Sequence, residues 1–498
     1  MADYDIAVIG GGINGVGIAR DAAGRGLKVL LVEQGDLGCG TSSASTKLVH
    51  GGLRYLEQWA FGLVRESLAE RESLLQQAPH LVKPIRIVLP VLGGARKPWM
   101  LRLGLHLYDW LARGSTLPKT SELDLNTSIA GGPLRRSFIA GFEYSDCTVD
   151  DARLVIANAI DAMERGATIM THTRCVRVER GEEWSVILNH RGKRSVVTAR
   201  VLINATGPWT SLFSEMIARQ KKKAPVRLVK GSHIVVPKLF DHSRGYIFQN
   251  TDRRIVFAIP FHRDYTLIGT TDNDFIGDLA SVAPTSEEIN YLCDAVSIYF
   301  RNLVSIGDVV WAFAGVRPLY DNGKRAAQDT TRDHVLKVDT AFRRAPIVSL
   351  YGGKLTTYRS MAEEVVEKVA SWFTPTKPWT KDAKLPGGDL GGETMEQFRA
   401  SVKSRWPFLE EEHADRLIDA YGGRVDRVLG TAVSLADLGP DLGHTLTAAE
   451  VRYLMRHEWA ESATDVLWRR TKLGLKFSKQ QKEALAQFMA SAAGASAA

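Results

Sequence analysis

Gly10-Gly11-Gly12-Ile13-Asn14-Gly15 stands between an apolar run, Asp5 to Ile9, and a stretch of small and apolar residues, Ile13 to Arg25; a second apolar run, Lys28 to Glu33, follows. Read in order, these are a strand, a glycine turn, a helix and a second strand, a βαβ unit. Gly10 permits the tight turn, Gly12 lets backbone approach a pyrophosphate, and Gly15 lets the helix pack closely on the strand. Glu33, ending the second strand, is placed to accept hydrogen bonds from a ribose hydroxyl pair. The spacing predicts a dinucleotide site; the alternative is a tight strand-to-helix turn with no ligand.

With 498 residues and about 150 per domain, two or three domains are expected. Charged residues at 24% and apolar ones at 45% exclude a disordered, collagen-like or fibrous chain. A net charge of +8 suits an anionic substrate, an anionic membrane surface or nucleic acid without choosing among them. Cys39, Cys147, Cys175 and Cys293 lie far apart with no CxxC, which argues against a disulfide framework or zinc ribbon and predicts a reducing cytosol. No signal peptide is expected, and no apolar run reaches the 18 residues of a spanning helix, so any membrane contact is expected to be peripheral.

Further along, Asp150 and Asp151 suit the start of a helix running to about Arg165. Strands are predicted at Thr168 to Arg177, Trp184 to Leu188 and Val201 to Asn204. From Val226 to Thr271 the text is strand-rich and reads as an antiparallel sheet, followed by a helix over Ser286 to Phe300. Glycine and proline cluster around Pro375 to Gly392 as a linker; the rest is helical by period to about Met489, with a frayed Ala/Ser/Gly tail. No internal repeat is found.

NAD and FAD are separated by what lies downstream. Thr41, Ser42, Ser43, Ser45, Thr46 and Lys47 form a run of hydroxyls with one ammonium, able to meet phosphate and flavin ring edges or to be an ordinary polar loop. Asn204-Ala205-Thr206-Gly207 ends a strand, and Gly352-Gly353-Lys354-Leu355-Thr356-Thr357 opens a helix whose N–H groups would face an anion. Such a helix start near flavin N1 would favour reduction. These segments, with SSASTKLVHGGLRYLE, GFEYSDCTVDDARL, NATGPW, KGSHIVVP, GTTD, GVRPL and YGGKLTTYR, resemble the FAD-dependent glycerol-3-phosphate dehydrogenases of the aerobic, respiratory bacterial type. The resemblance runs from residue 5 to about 370, and more loosely beyond.

The resemblance implies an α/β fold of the D-amino-acid oxidase type. A discontinuous Rossmann-like FAD-binding domain (1–75, 148–225 and 308–374) would join an antiparallel-sheet substrate domain (76–147 and 226–307), an all-α C-terminal domain (385–490) and a flexible tail (491–498). It implies noncovalent FAD held by Gly10, Gly12, Asn14, Gly15, Glu33, Thr41, Ser42, Ser45, Lys47, Leu48, His50, Gly52, Val176, Ala205, Thr206, Gly207, Gly315, Gly353, Lys354, Leu355 and Thr356, and no metal. It also implies oxidation of sn-glycerol 3-phosphate to dihydroxyacetone phosphate, with electrons passed to ubiquinone at the cytoplasmic face of the inner membrane. A homodimer is expected, and no nucleic acid.

A phosphate dianion in a desolvated pocket needs fixed positive charge, best met by guanidinium forks. Arg54, Arg317, Arg332 and Lys354 lie in the family motifs, and Tyr55 is expected to shape the pocket. Alcohol oxidation also needs a base: His233, in KGSHIVV, is the first choice and His50 the second. Arg317 would hold the forming carbonyl oxygen as charge develops on it.

Trp99, Leu103, Leu107, Trp110 and Leu111 fall on one helical face beside Arg96, Lys97, Arg102 and Arg113, the pattern of an interfacial anchor or of core packing. Val466, Leu467, Trp468, Arg469, Arg470 and Lys472 form a second basic, apolar stretch that would add to the contact. The competing readings are a soluble oxidase using oxygen, an FAD amine or amino-acid oxidase, and a nucleic-acid-binding flavoprotein using Lys221, Lys222 and Lys223.

Overall fold

The computed structural model describes residues 2–91, 98–218, 225–250, 252, 254–321, 333–341, 343–373 and 377–497. The predicted βαβ unit is present as strand Tyr4–Ile9, helix Ile13–Gly24 and strand Val29–Val32. Tyr4–Ile9 pairs in parallel with Val29–Val32 on one side and Lys193–Asn204 on the other, so Ile6 stands between Val29 and Val201. Strand Arg344–Tyr351 extends the sheet in parallel beyond Lys193–Asn204, and Thr168–Met170 does so beyond Val29–Val32. These strands are apolar throughout because both faces are covered. Helices Ile13–Gly24, Asp151–Glu164 and Tyr358–Val369 supply Ile18, Ile156 and Val365 to one face; an antiparallel flap, Thr173–Arg180 with Trp184–His190, covers the other with Trp184. The expected single strand Thr168 to Arg177 is thus two, broken at Thr171 and His172, where His172 takes a positive φ.

The second sheet is antiparallel apart from one parallel pair, Gly245–Gln249 against Val82–Pro90. Its long members are Val226–Pro237, Tyr265–Gly269, Ile255–Phe261 and Ala140–Val149. Residues 311–320, grouped with the first domain from sequence, belong here instead: Trp311–Tyr320 pairs with Val226 to Val235, with His233 opposite Phe313 and Val229 opposite Arg317. Leu48–Val49, just after the hydroxyl-rich loop, is also a strand of this sheet, paired with Ala140–Val149. The flavin-side loop is therefore strung between the two sheets.

The C-terminal region is helical, as predicted, around a core that includes Phe398, Leu417, Tyr421, Val451 and Leu485; each fully buried aliphatic contributes about 1.5–3 kcal/mol. The last helix, Lys479–Ala497, runs through the expected flexible tail, since alanine carries the highest helix propensity. The 466–472 stretch is a second correction. Val466, Leu467, Arg470 and Lys472 are buried and the charges pair with carboxylates of the first domain, so this stretch faces protein and not lipid.

Helix Pro98–Leu111 buries Leu105 and Tyr108 and leaves Trp99, Met100, Leu103 and Trp110 exposed at 60%, 51%, 63% and 55%. Leu107 and Leu111, expected on the same stripe, are half-buried. Arg96 and Lys97 lie outside the described residues, as do Lys221, Lys222 and Lys223.

Candidate active site

The glycine turn is built as its spacing predicts. Gly10 adopts φ +113°, and a side chain there would meet the Ala205 carbonyl oxygen at 2.5 Å. A Cβ on Gly15 would fall 1.8 Å from the Gly10 oxygen, so only glycine lets helix and turn approach this closely. Gly12 starts the helix with no side-chain cap and no acidic residue in the first turn, which leaves a positive helix end for an anion. Ser42 Oγ accepts from Ile13 N–H at 3.0 Å, and Asn14, donating to the Gly352 oxygen at 3.4 Å, keeps a buried Oδ1 without a partner. Glu33 accepts from the N–H groups of Gly11 and Gly35 at 2.7 and 2.8 Å. Burial pushes its carboxyl above the usual range, against the pull of those two N–H groups. This cradle fits a dinucleotide pyrophosphate and ribose.

Ala205 N–H donates to the Ile9 oxygen at 2.9 Å, which seats the Ala205-Thr206-Gly207 turn against the glycine turn. Gly352 and Gly353 take positive φ, and Gly353 lies against Asn14. Helix Tyr358–Val369 starts one turn later than expected, with Leu355 to Thr357 forming a turn before it. Val176 sits in a bulge of the flap, where the register shifts between Cys175 and Arg177.

Thr41, Ser45 and Lys47 of the 41–52 loop, expected at the flavin, are held by partners that the sequence reading did not assign to the site. Lys47 Nζ donates to both oxygens of Asp151 at 2.8 and 2.9 Å, and Ser45 Oγ reaches the same carboxylate at 2.7 Å. Thr41 Oγ1 donates to the Val316 oxygen at 2.6 Å, next to Gly315, where a Cβ would press on Ala44 at 3.0 Å. Gly51 N–H donates to Tyr108 Oη at 2.9 Å, and Tyr108 in turn donates to Asp146 at 2.8 Å. The loop is thereby tied to the half-exposed 98–111 helix. His50 N–H donates to Thr356 Oγ1 at 3.3 Å.

The predicted cations fall into two groups. Lys354 Nζ lies 3.9 Å from the Tyr55 ring centre and donates to Ser67 Oγ at 3.2 Å; Arg54 is the residue before Tyr55 in the same short helix. Gly52, at φ +78°, lets the Tyr55 ring fold back over it. Arg317 Nη1 donates to Asp272 at 2.7 Å and its guanidinium lies over Gly231, whose Cβ would meet both terminal nitrogens at 3.0 Å. Asp272, in GTTD, was read only as part of a motif; a carboxylate so placed orients the fork. Arg332 lies outside the described residues.

One row of the second sheet carries Phe257, Gly269, His233 and Phe313 as successive cross-strand partners. His233 lies over Gly269, where a Cβ would be 2.0 Å from its ring, and stacks on Phe313 at 5.0 Å and 10°. The His50 ring meets the other end of the row, 6.3 Å from Phe257. His233 is wholly buried and its Nε2 shares a 2.9 Å hydrogen bond with Thr46 Oγ1. Burial first, then Arg317 and Lys47, holds it neutral, well below the usual histidine range. Of the two candidate bases, His233 is therefore enclosed, whereas His50 is half-buried.

A parallel sheet carrying a pyrophosphate cradle, tied through the 41–52 loop to an antiparallel sheet bearing oriented cations, defines a dinucleotide-dependent oxidoreductase. The sequence profile described as FAD dependent oxidoreductase matches residues 5–359, and that of the C-terminal domain of alpha-glycerophosphate oxidase matches residues 378–498. The chain belongs to this FAD-dependent family and, within it, to the glycerol-3-phosphate dehydrogenases. It is 48% identical to glycerol-3-phosphate dehydrogenase of Pseudomonas aeruginosa, over 98% of this chain and 95% of that one. It is 44% identical to D-erythritol 1-phosphate dehydrogenase of Brucella abortus, over 97% of each chain. The solved structure of glycerol-3-phosphate dehydrogenase from Bacillus halodurans complexed with FAD superimposes with a TM-score of 0.80 at 28% identity, covering 99% of this chain and 91% of that one. FAD is the cofactor.

Two outcomes follow from this geometry. Asp272→Asn should lower kcat/KM by roughly 10- to 100-fold, the value of a charge-assisted hydrogen bond of about 1.5–3 kcal/mol, with flavin content unchanged; an unaltered kcat/KM would show that Arg317 needs no such orientation. His334, beside Gly353, bonds Glu364 at 2.7 Å; burial opposes its charge, but Asp333 and Glu364 bring it up to about 8. A pKa raised on folding stabilises below the unfolded value of about 6.5 and is lost as pH rises through 8. Thermal unfolding of His334→Gln against wild type should therefore converge above that window and differ below it by about 1 kcal/mol.

Proposed function

We propose that the protein oxidises sn-glycerol 3-phosphate to dihydroxyacetone phosphate and passes the electrons to ubiquinone at an anionic membrane surface, in the respiratory chain. The observation that carries the substrate reading is a pair of oriented cations, Lys354 on the Tyr55 face with Ser67 and Arg317 held by Asp272, with Arg54 in the segment that carries Tyr55. FAD, when bound, accepts the hydride from the secondary carbon. The chain's own residues do the rest. Arg54 and Lys354 bind the phosphate dianion, Lys354 held in place by the Tyr55 face and Ser67. Arg317, oriented by Asp272, holds the substrate oxygen as negative charge develops on it. His50 takes the hydroxyl proton, and His233 serves by fixing the Thr46 hydroxyl.

The membrane reading is supported by the Pro98–Leu111 helix, which shows Trp99, Met100, Leu103 and Trp110 to solvent beside the exposed Arg102 and Arg113; exposed apolar area with basic neighbours suits the interface of anionic lipid. Trp59, 79% exposed just after the Arg54-Tyr55 segment, adds to it. No helix among the described residues is long and apolar enough to cross a membrane. The same exposed face disfavours a soluble oxidase. A second donor, D-erythritol 1-phosphate, is favoured by the Brucella relative, since both substrates present a phosphate and a secondary hydroxyl.

Anaerobic mixing of the holoenzyme with sn-glycerol 3-phosphate should bleach the flavin band, and a ubiquinone analogue should restore it. Bleaching by D-erythritol 1-phosphate alone would move the substrate assignment to the longer polyol phosphate. His50→Gln should slow bleaching by about 10²–10⁴-fold, the range of general-base catalysis, and slow it more than His233→Ala; the reverse order would return the base to His233. Trp99→Asp with Leu103→Asp should abolish cosedimentation with anionic vesicles while leaving flavin reduction intact. Undiminished cosedimentation would place the lipid contact elsewhere.

A further inference from the structure

One short stretch of the C-terminal domain touches three separate elements of the flavin site. Arg470, fully buried, donates through Nη1 and Nη2 to the two oxygens of Asp36, each at 2.8 Å, and Arg469 Nε meets the same carboxylate. Asp36 lies three residues beyond Glu33, in a loop folded onto the glycine turn: Gly38 N–H donates to the Gly11 oxygen at 3.0 Å and Gly35 N–H to Glu33. Lys472 Nζ is 3.3 Å from Asp150, the residue before the Asp151 that holds Lys47 and Ser45. Trp468 packs on Trp311 at 4.6 Å, Trp311 on Phe313 at 4.5 Å, and Phe313 on His233. The stretch is itself anchored, for Arg470 also donates to the Glu458 backbone oxygen, while the Glu458 carboxylate pairs with Arg153.

We propose that residues 465–472 are a latch by which the C-terminal domain holds the FAD site together, with Arg470, Lys472 and Trp468 as positioning residues. The physical reason is burial. The Asp36 and Arg470 side chains are each no more than 1% exposed, so removing either charge leaves the other buried and short of its fork, and the loop must turn to bring water to it. That turn carries the loop bearing Glu33 away from the ribose position and loosens Gly11 of the cradle. Lys472 does the same work at the flavin end, through Asp150 and the helix start whose Asp151 fixes the 41–47 loop. The coupling is reciprocal: if the latch tightens FAD, bound FAD must tighten the latch.

The test leaves substrate out, so its failure leaves the proposed reaction standing, and failure of that reaction leaves this test valid. FAD release from diluted holoenzyme is followed by the rise in flavin fluorescence. Asp36→Asn should release FAD about tenfold faster, the scale on which loss of a partner orienting a ligand-binding residue is felt, and Arg470→Lys, which keeps the charge but not the fork, by less. A lowered Tm with unchanged release would reduce these residues to a structural role and overturn the proposal. Should either variant fail to fold, hydrogen exchange on the wild-type chain decides: peptides spanning 458–475 should exchange several-fold more slowly with FAD than without it, and equal exchange would overturn the latch.

Discussion

The buried pair between Lys47 and Asp151 sets the geometry on which the rest of the site depends. Lys47 is the last residue before the strand Leu48–Val49 of the second sheet, and Asp151 is the first of the helix Asp151–Glu164 in the first domain. One ammonium and one carboxylate, both nearly fully buried, therefore join the two sheets at the loop that must meet the flavin. Such a pair is not clearly more stabilising than apolar residues of the same volume. Removing one partner, however, costs about 3–5 kcal/mol, because the other is left charged and dry. Its value lies in register: only one placement of the loop satisfies both charges.

The same logic recurs at Arg317, at Lys354 and in the loop itself. Arg317 is aimed by Asp272, Lys354 by Ser67 and the Tyr55 face, and Gly51 is held by Tyr108, which Asp146 and the buried Arg71 hold in turn. Positive groups fixed in advance stabilise developing negative charge without reorganising, and that is where electrostatic catalysis draws its strength. Glycines complete the arrangement by absence. Gly231 makes room for the Arg317 guanidinium and Gly269 for the His233 ring; in neither case does the conformation demand glycine, only the space.

Two amphipathic stretches that looked alike in sequence have opposite fates. Trp99, Leu103 and Trp110 remain exposed because the neighbouring Leu105 and Tyr108 already fill the space against the second sheet. Trp468, Arg469 and Arg470 are drawn inward because Asp36 and the ring of Trp311 await them. Hydrophobic period reports that a helix has two faces; which face finds a partner depends on surfaces distant in the chain, more than four hundred residues away in the case of Asp36.

The glycine turn, its flanking strands and Glu33 were legible from residues 5 to 33 because their contacts are local and their spacing follows from backbone geometry. The cationic motifs were legible as a resemblance covering most of the chain. What the sequence could not decide was which groups meet. Asp151 looked like an ordinary helix start and Asp272 like part of a motif, since a carboxylate acquires its role only from the cation folded against it. His233 and His50 were both candidate bases because imidazole has the right basicity, and only the fold shows the first enclosed in a sheet row and the second half-buried. The strand Trp311–Tyr320 was grouped with the first domain from sequence but joins the second sheet in space. Local order sets where the cradle forms; long-range burial and charge pairing decide which side chains face it, because those energies exist only once distant segments are in contact.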